Sequence, residues 1–389
     1  MKVSIFYDKN LSLSVTAASG VEAVTKRELQ DLGYLPSAAV NGRICFSGDF
    51  SDVAKCNVNL RTADRVYVNL GTFSATTFDE LFDCVKTIAW ENVIEPCGKI
   101  TVNAKSAASK LFALSAIQSI TKKAVCERLK QKGFSSISET GADYRINMNF
   151  FRDVCTVSLD TSGAGLHKRG YRMETGEAPI RETLAAAILM LSYWNKNRVL
   201  VDPFTGSGTI PIEAALIATD TAPGLKREFL FDTWPNAPKV LSAAKEEAQA
   251  KVKDETDLRI SGFDIDGKAL KLAVRHAKLA GVDKYVHFQT EDMRNISSRF
   301  SHGVMVANPP YGERLMTENE VAALYKDFGK LFFSLDEWSL YAITAYGNFE
   351  RAFGKRADKT RKLYNGGLEC RLFEYFGTPP KKIVREDRE

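Results

Sequence analysis

The spacing of apolar and polar positions divides the chain into two regions of different character. In the first, short alternating runs predict strands at Leu11–Thr16, Arg43–Phe46 and Val66–Phe73. Helical spacing covers Val21–Leu32, with Gly33 placed to cap its end, and Phe78–Ile88. Asn41-Gly42 is a turn signal. Lys99–Ala104 reads as a strand, and Ala113–Lys132 as a helix with apolar residues on one side and lysines on the other. Arg145–Asn149 and Val154–Leu159 read as paired strands. The region as a whole predicts an α+β fold built from small antiparallel sheets.

The pattern changes near Ser162, where a glycine-rich basic stretch through Arg172 reads as a linker. Beyond it, helices alternate with apolar strands at Arg198–Pro203, Arg259–Asp266, Val286–Asp292, Gly303–Asn308 and Ser339–Tyr346. That alternation predicts a mostly parallel sheet with helices on both faces. Leu368–Phe376 follows a Gly366-Gly367 turn and reads as a hairpin strand at the sheet edge. Pro223–Asp257 is an insertion between a helix and a strand; its Phe229, Phe231 and Trp234 either cover a core or help to bind substrate. The charged segment Lys381–Glu389 reads as a disordered tail.

Composition narrows the class. The chain has 389 residues, 44% hydrophobic and 26% charged, enough for two or three ordinary globular domains. The longest apolar run, Leu184–Leu191, is too short to span a membrane, and Met1–Asn10 does not read as a signal peptide. Seven cysteines without a CxxC pair favour a reduced, cytoplasmic setting, and four scattered histidines without HExxH argue against a catalytic metal. The net charge of +5 is mild, but basic residues gather in three stretches. The first holds Lys105, Lys110, Lys122, Lys123, Arg128, Lys130 and Lys132 against Glu127; the second, His167, Lys168, Arg169 and Arg172; the third, Arg351, Lys355, Arg356, Lys359, Arg361 and Lys362. Each alone is ordinarily a solvated face, but three together predict a phosphate-binding track on RNA, with Lys122, Lys123, Lys130, Lys168, Arg169 and Arg172 as its candidates.

The segment from Val199 to Thr209 runs an apolar strand into a Gly206-Ser207-Gly208 turn and then a helix. It is neither the dinucleotide GxGxxG pattern nor a P-loop. Asp202 at the strand end would repel a pyrophosphate but suits a ligand with a positive amino group, as S-adenosylmethionine has. Asp264 and Asp292 end the next two strands. A carboxylate at Asp264 could hold both ribose hydroxyls, and Asp292 could accept from the adenine amino group with Met293 nearby. Either acid alone is more often a helix cap, whereas three at successive strand ends point to a ligand rim.

The most informative segment is Val304–Tyr311, a buried strand ending in Asn308-Pro309-Pro310-Tyr311. The prolines stiffen the turn and restrict Asn308. The Asn308 amide oxygen and a carbonyl of the proline pair can accept both N–H donors of a base amino group, and Tyr311 can stack on the base. Holding both donors turns the nitrogen lone pair toward a methyl sulfonium. No strong base is needed, because the proton can leave after the methyl arrives; positioning and electrostatics do most of the catalysis.

With these residues the chain resembles, nearly end to end, the THUMP-domain RNA guanine-N2 methyltransferases of the type that modifies bacterial 23S ribosomal RNA. Four segments carry the resemblance: Ala18–Leu29 with Leu32-Gly33; Leu166–Arg172 followed by Ala178–Leu184; Asp202–Thr209; and Asn308–Tyr311. The resemblance implies a ferredoxin-like region over 1–55, extending to about 72 by the widest reading, a THUMP RNA-binding domain over 56–158, and a Rossmann-like class I methyltransferase domain with a mostly parallel seven-stranded sheet over 160–385. It implies S-adenosylmethionine held by Asp202, Gly206, Gly208, Asp264 and Asp292, with Phe204, Thr209, Ile265 and Met293 beside them. Pro179, Arg181 and Thr183 would lie against the methionine end. Some members carry a second methyltransferase domain; a single activity is expected here. A tRNA guanine, adenine N6 in DNA, and a non-catalytic RNA-binding role are the competing readings. The last would need a damaged loop or tetrapeptide, and both are intact.

Overall fold

The computed structural model describes residues 10–134, 137–172, 180–255, 257–311 and 317–378; Pro179 and the Lys381–Glu389 tail lie outside them. The first region runs β1 (Leu11–Ala17), α1 (Glu22–Asp31), β2 (Arg43–Gly48), α2 (Phe50–Asn59), β3 (Ala63–Ser74), α3 (Phe78–Thr87), β4 (Lys99–Ala107), α4 (Leu114–Gln131), β5 (Asp143–Phe151) and β6 (Val154–Asp160). There follow α5 (Glu182–Leu191), β7 (Leu200–Asp202), α6 (Thr209–Ala218), α7 (Ala237–Ala250), β8 (Ile260–Asp264), α8 (Gly267–Ala280), β9 (Val286–Thr290) and β10 (Val304–Ala307). The chain then continues through α9 (Glu318–Ser334), β11 (Ser339–Thr344), α10 (Phe349–Phe353), β12 (Lys359–Asn365) and β13 (Leu368–Tyr375). Two compact units result: one holds the chain up to Ala17, Thr25–Leu166 and Ala222–Lys251, the other Ala18–Val24, His167–Thr221 and the chain from Val252 onward.

In the first unit the strands form one six-stranded sheet, ordered β2-β1-β3-β6-β5-β4, instead of the small antiparallel sheets expected. The pair β4–β5 is parallel. The crossover helix α4 accounts for this, since parallel neighbours need a long connection that a hairpin cannot provide. Tyr144, Ile146, Met148 and Phe150 alternate along β5 and share a core with Ile117, Val125 and Leu129 of α4. Helix α2 was not foreseen. Its start is fixed by a capping box: Asp49 accepts from the Ser51 and Asp52 N–H groups, and Asp52 accepts from the Asp49 N–H at 2.7 Å.

The insertion after α6 belongs to this first unit. Phe231 and Trp234 are fully buried in its core. The Trp234 indole stacks on Tyr144 at 5.1 Å and donates to the Asp143 carbonyl at 2.9 Å. Gly224 donates to the Val58 carbonyl at 2.9 Å, and a Cβ there would come within 2.5 Å of Val58 Cα. Of the two sequence readings for these aromatics, core cover is the one observed.

The second unit contains a seven-stranded sheet ordered β12-β13-β11-β10-β7-β8-β9. Its β9, β8, β7, β10 and β11 are parallel. The strand Leu368–Phe376 was expected at the edge, but β13 lies between β11 and β12, antiparallel to both. The edge strand on that side is β12, which its sequence disguised as a basic stretch. Along β10, Val304 and Val306 face a core with Ile188, Ile210 and Ala277, whereas Met305 and Ala307 face one with Tyr325, Phe328 and Phe353. Both faces of the sheet are thus covered by helices, as the apolar strands predicted. Among the described residues no helix is long and apolar enough to cross a membrane.

Candidate active site

Strand β7 delivers Asp202 to the carboxyl rim of the sheet, at the point where strand order reverses between β8 and β10. Asp202 is 1% exposed and accepts a hydrogen bond from the Phe204 N–H at 3.1 Å. Burial pushes its carboxyl up to about 8; the Phe204 N–H opposes this, and the charge on Asp264 adds to it. Phe204 itself packs edge-on against Phe328.

The glycine turn is braced from α8. Gly208 has φ +86°, and a Cβ there would sit 2.9 Å from the Ala273 Cβ, so the turn can lie this close to α8 only as glycine. His276, also on α8, places its Nδ1 at 3.0 Å from the Ser207 carbonyl, which requires the proton on that nitrogen. The Gly206 N–H donates to Asp264 Oδ2 at 2.8 Å, and the Asp266 N–H to Asp264 Oδ1 at 2.9 Å. Asp264 therefore joins the turn after β7 to the start of α8, while each of its oxygens retains a lone pair. Asp292 accepts from the Arg294 N–H and pairs with the Arg294 guanidinium, both at 2.9 Å. It is thus a cap for a short helical turn as well as a rim acid. Met293 is buried beside it, and Ile265, after Asp264, is 72% exposed.

Strand β10 carries Asn308 to the same rim. The register sets Met305 against Val201, so Asn308 stands two residues beyond the level of Asp202 on the adjacent strand. Asn308 and Tyr311 are half-buried, Pro309 is buried and Pro310 exposed. The Pro310 carbonyl is already engaged, accepting from the Tyr325 hydroxyl of α9 at 2.8 Å.

The lead-in segment tells against two of the RNA candidates. Arg169 is 3% exposed and pairs with Glu213, which also accepts from the Tyr171 hydroxyl at 3.1 Å. Arg172 turns inward, donating to the Ile180 carbonyl at 3.2 Å and to the Thr209 hydroxyl, with Glu182 at 3.5 Å. Neither guanidinium is presented to a phosphate, because each is the counter-charge of a buried carboxylate. Thr209 opens α6 and Thr183 is buried in α5, while Arg181 is exposed, its N–H donating to Asn365. Lys168 is exposed.

The other basic stretches are less bare than the sequence suggested. Lys122 pairs with Glu139 at 2.6 Å, Arg128 with Glu91 at 2.6 Å, and Lys86 of α3 with Glu127 at 3.3 Å; Lys123 and Lys130 are exposed. Arg361 pairs with Glu374 and Lys362 with Glu369. Nothing in the residue pattern singles out Tyr325 or His276, which occupy apolar-stripe positions on their helices and show a role only through their partners.

A glycine turn with a buried carboxylate and a turn rich in acceptors stand on neighbouring parallel strands, β7 and β10, at the strand-order reversal. That arrangement defines a class I, S-adenosylmethionine-type methyltransferase. The chain belongs to the RMKL-like methyltransferase family, whose domain matches residues 169–374; an RlmL ferredoxin-like domain matches 12–67 and a THUMP domain 75–160. It is 42% identical to the RNA methyltransferase candidate YpsC of Bacillus subtilis (strain 168), covering 95% of this chain and 96% of that protein. It is 36% identical to a ribosomal RNA large subunit methyltransferase K/L of Syntrophotalea carbinolica, covering 95% of this chain and 54% of that one. The solved structure of the methyltransferase SMU.472, complexed with SAH, superposes with a TM-score of 0.91 at 39% identity, covering 96% of this chain and all of the other.

Proposed function

We propose that the protein transfers a methyl group from S-adenosylmethionine to the exocyclic N2 of a guanine in 23S ribosomal RNA. The observation that carries this reading is the Asn308–Tyr311 turn on β10, next to the Asp202 turn on β7. RNA as substrate is supported by the THUMP match and by the names of the two relatives.

The donor supplies a methyl group on a positive sulfur. Asp202, buried and with no cationic side chain beside it among the described residues, is suited to meet its ammonium group. Asp264 has lone pairs to spare for ribose hydroxyls, and Asp292 with Ile265 and Met293 would border the adenine. Pro179, Arg181 and Thr183 would close the methionine end, with Phe204, Gly206, Gly208 and Thr209 forming the cradle. On the acceptor side, Asn308 Oδ1 takes one N–H of the guanine amino group. The second goes to the Pro309 carbonyl, because that of Pro310 is turned inward to the buried Tyr325 hydroxyl. Tyr311 stacks on the base. Fixed this way, the nitrogen lone pair points at the methyl, and its proton leaves to water after transfer. Lys123, Lys130 and Lys168 supply phosphate contacts, and Lys122 does so only by giving up Glu139.

Asn308→Ala tests the central role. Methyl transfer from labelled donor to RNA should fall by about 10²-fold or more, the scale of losing one electrostatic contact at the reacting atom. Calorimetric binding of S-adenosylmethionine should persist. Undiminished transfer would refute the assignment.

A further inference from the structure

We infer that Tyr325 and Thr344 are positioning residues: they form an oriented hydrogen-bond chain that sets the acceptor turn at its working height above the sheet. The proposal rests on the reading of Asn308 and Pro309 as the groups that hold the base amino nitrogen.

The direction of every proton in the chain follows from what each atom can do. The Pro310 carbonyl can only accept, so the Tyr325 hydroxyl spends its one proton there, at 2.8 Å. The contact between Tyr325 Oη and Thr344 Oγ1, at 2.9 Å, must then be donated by Thr344. Thr344 Oγ1 in turn accepts from the Tyr346 N–H at 3.1 Å. The result runs Tyr346 N–H to Thr344 to Tyr325 to Pro310, from the end of β11 to the turn after β10. No member can reverse without leaving a polar atom unmade.

Tyr325 is 0% exposed and Thr344 1% exposed, so water cannot easily substitute for a missing link. The Tyr325 ring is fixed edge-on by Tyr346 and Phe349, at 5.4 and 5.0 Å. A buried tyrosine that served packing alone would need only some partner for its hydroxyl. This one spends it on the backbone of the acceptor turn, one residue from Pro309. Loss of the proton would free Pro310 to move, and with it the acceptor pair, where a displacement of about 1 Å is enough to cost catalysis.

The test compares Tyr325→Phe and Thr344→Val with Tyr341→Phe. Tyr341 is also buried, but in the core on the other face of the sheet from Tyr325, and its hydroxyl accepts from the Tyr193 N–H at 3.3 Å. Tyr325→Phe should lower kcat about tenfold or more while KM for RNA and donor affinity stay within about twofold. Thr344→Val should lower kcat less, and the double variant no further than Tyr325→Phe alone, since the chain acts as one unit. Tyr341→Phe should keep kcat. Hydrogen exchange reads the anchoring without activity: the Asn308 and Tyr311 amides should exchange faster in Tyr325→Phe and at the native rate in Tyr341→Phe. Wild-type kcat in Tyr325→Phe, an equal loss in Tyr341→Phe, or unchanged exchange at the turn would each overturn the inference. Absence of methyl transfer by the wild-type protein would instead remove the functional reading, and the exchange data would still decide the anchoring.

Discussion

Asp202 carries a pH dependence that a solvated rim acid would lack. Its carboxyl is raised from the ordinary 3.8 to about 8 by burial. Between those values the folded protein holds a proton that the unfolded chain does not, so this group's contribution to stability falls as pH rises through the window. A cation bound beside the ionised carboxylate offsets that cost. Affinity for S-adenosylmethionine should therefore rise between about pH 6 and 7, below the range in which the donor's own amino group loses most of its charge. Asp202→Asn should bind more weakly and lose the rise; the same pH profile in calorimetry for both proteins would contradict the pairing. The three rim acids were legible because strand ends can be read from apolar runs. Arg169 and Arg172 were misread because residue type does not encode exposure. The carboxylate that neutralises Arg169 lies 44 residues further along, beyond any local pattern.

Among the elements, α4 shows what a stripe of lysines can and cannot say. The amphipathic spacing gave the helix almost to the residue, but the acids that quench its charge come from elsewhere: Glu91 from a turn after α3 and Glu139 from the loop before β5. Lys123 and Lys130 remain as exposed positive charges. Reversing both to Glu should weaken RNA binding and reduce the slope of log affinity against log salt by about 1–2. Lys122→Glu alone should act mainly by placing a like charge against Glu139. An unaltered salt slope in the double variant would move the RNA track off this helix. The parallel pairing of β4 with β5 was hidden for a related reason: periodicity gives a strand and its faces, not its neighbour. Edge strand β12 was hidden because Lys359, Arg361 and Lys362 made it look like a binding tract.

At the scale of the molecule, the chain leaves the methyltransferase unit after α6, completes the core of the first unit with residues 222–251, and returns for β8. The sequence marked this stretch as an insertion, because the gap between the glycine turn and Asp264 was too long for a simple strand–helix–strand unit. It could not show which core the aromatics would enter. Trp234 decides that point, through its stacking on Tyr144 and its bond to Asp143. Trp234→Ala should destabilise the first unit by about 3–5 kcal/mol, read as an earlier denaturant midpoint in the six-stranded-sheet transition. A midpoint shifted only in the unit that binds S-adenosylmethionine would contradict this placement. Nucleosides from 23S ribosomal RNA should be compared by mass spectrometry in cells with the gene, without it, and complemented with Asn308→Ala. An N2-methylguanosine should be lost with the gene and restored by the wild-type chain but not by the variant. An unchanged N2-methylguanosine level, with the methyl group appearing instead in tRNA or on adenine in DNA, would contradict it.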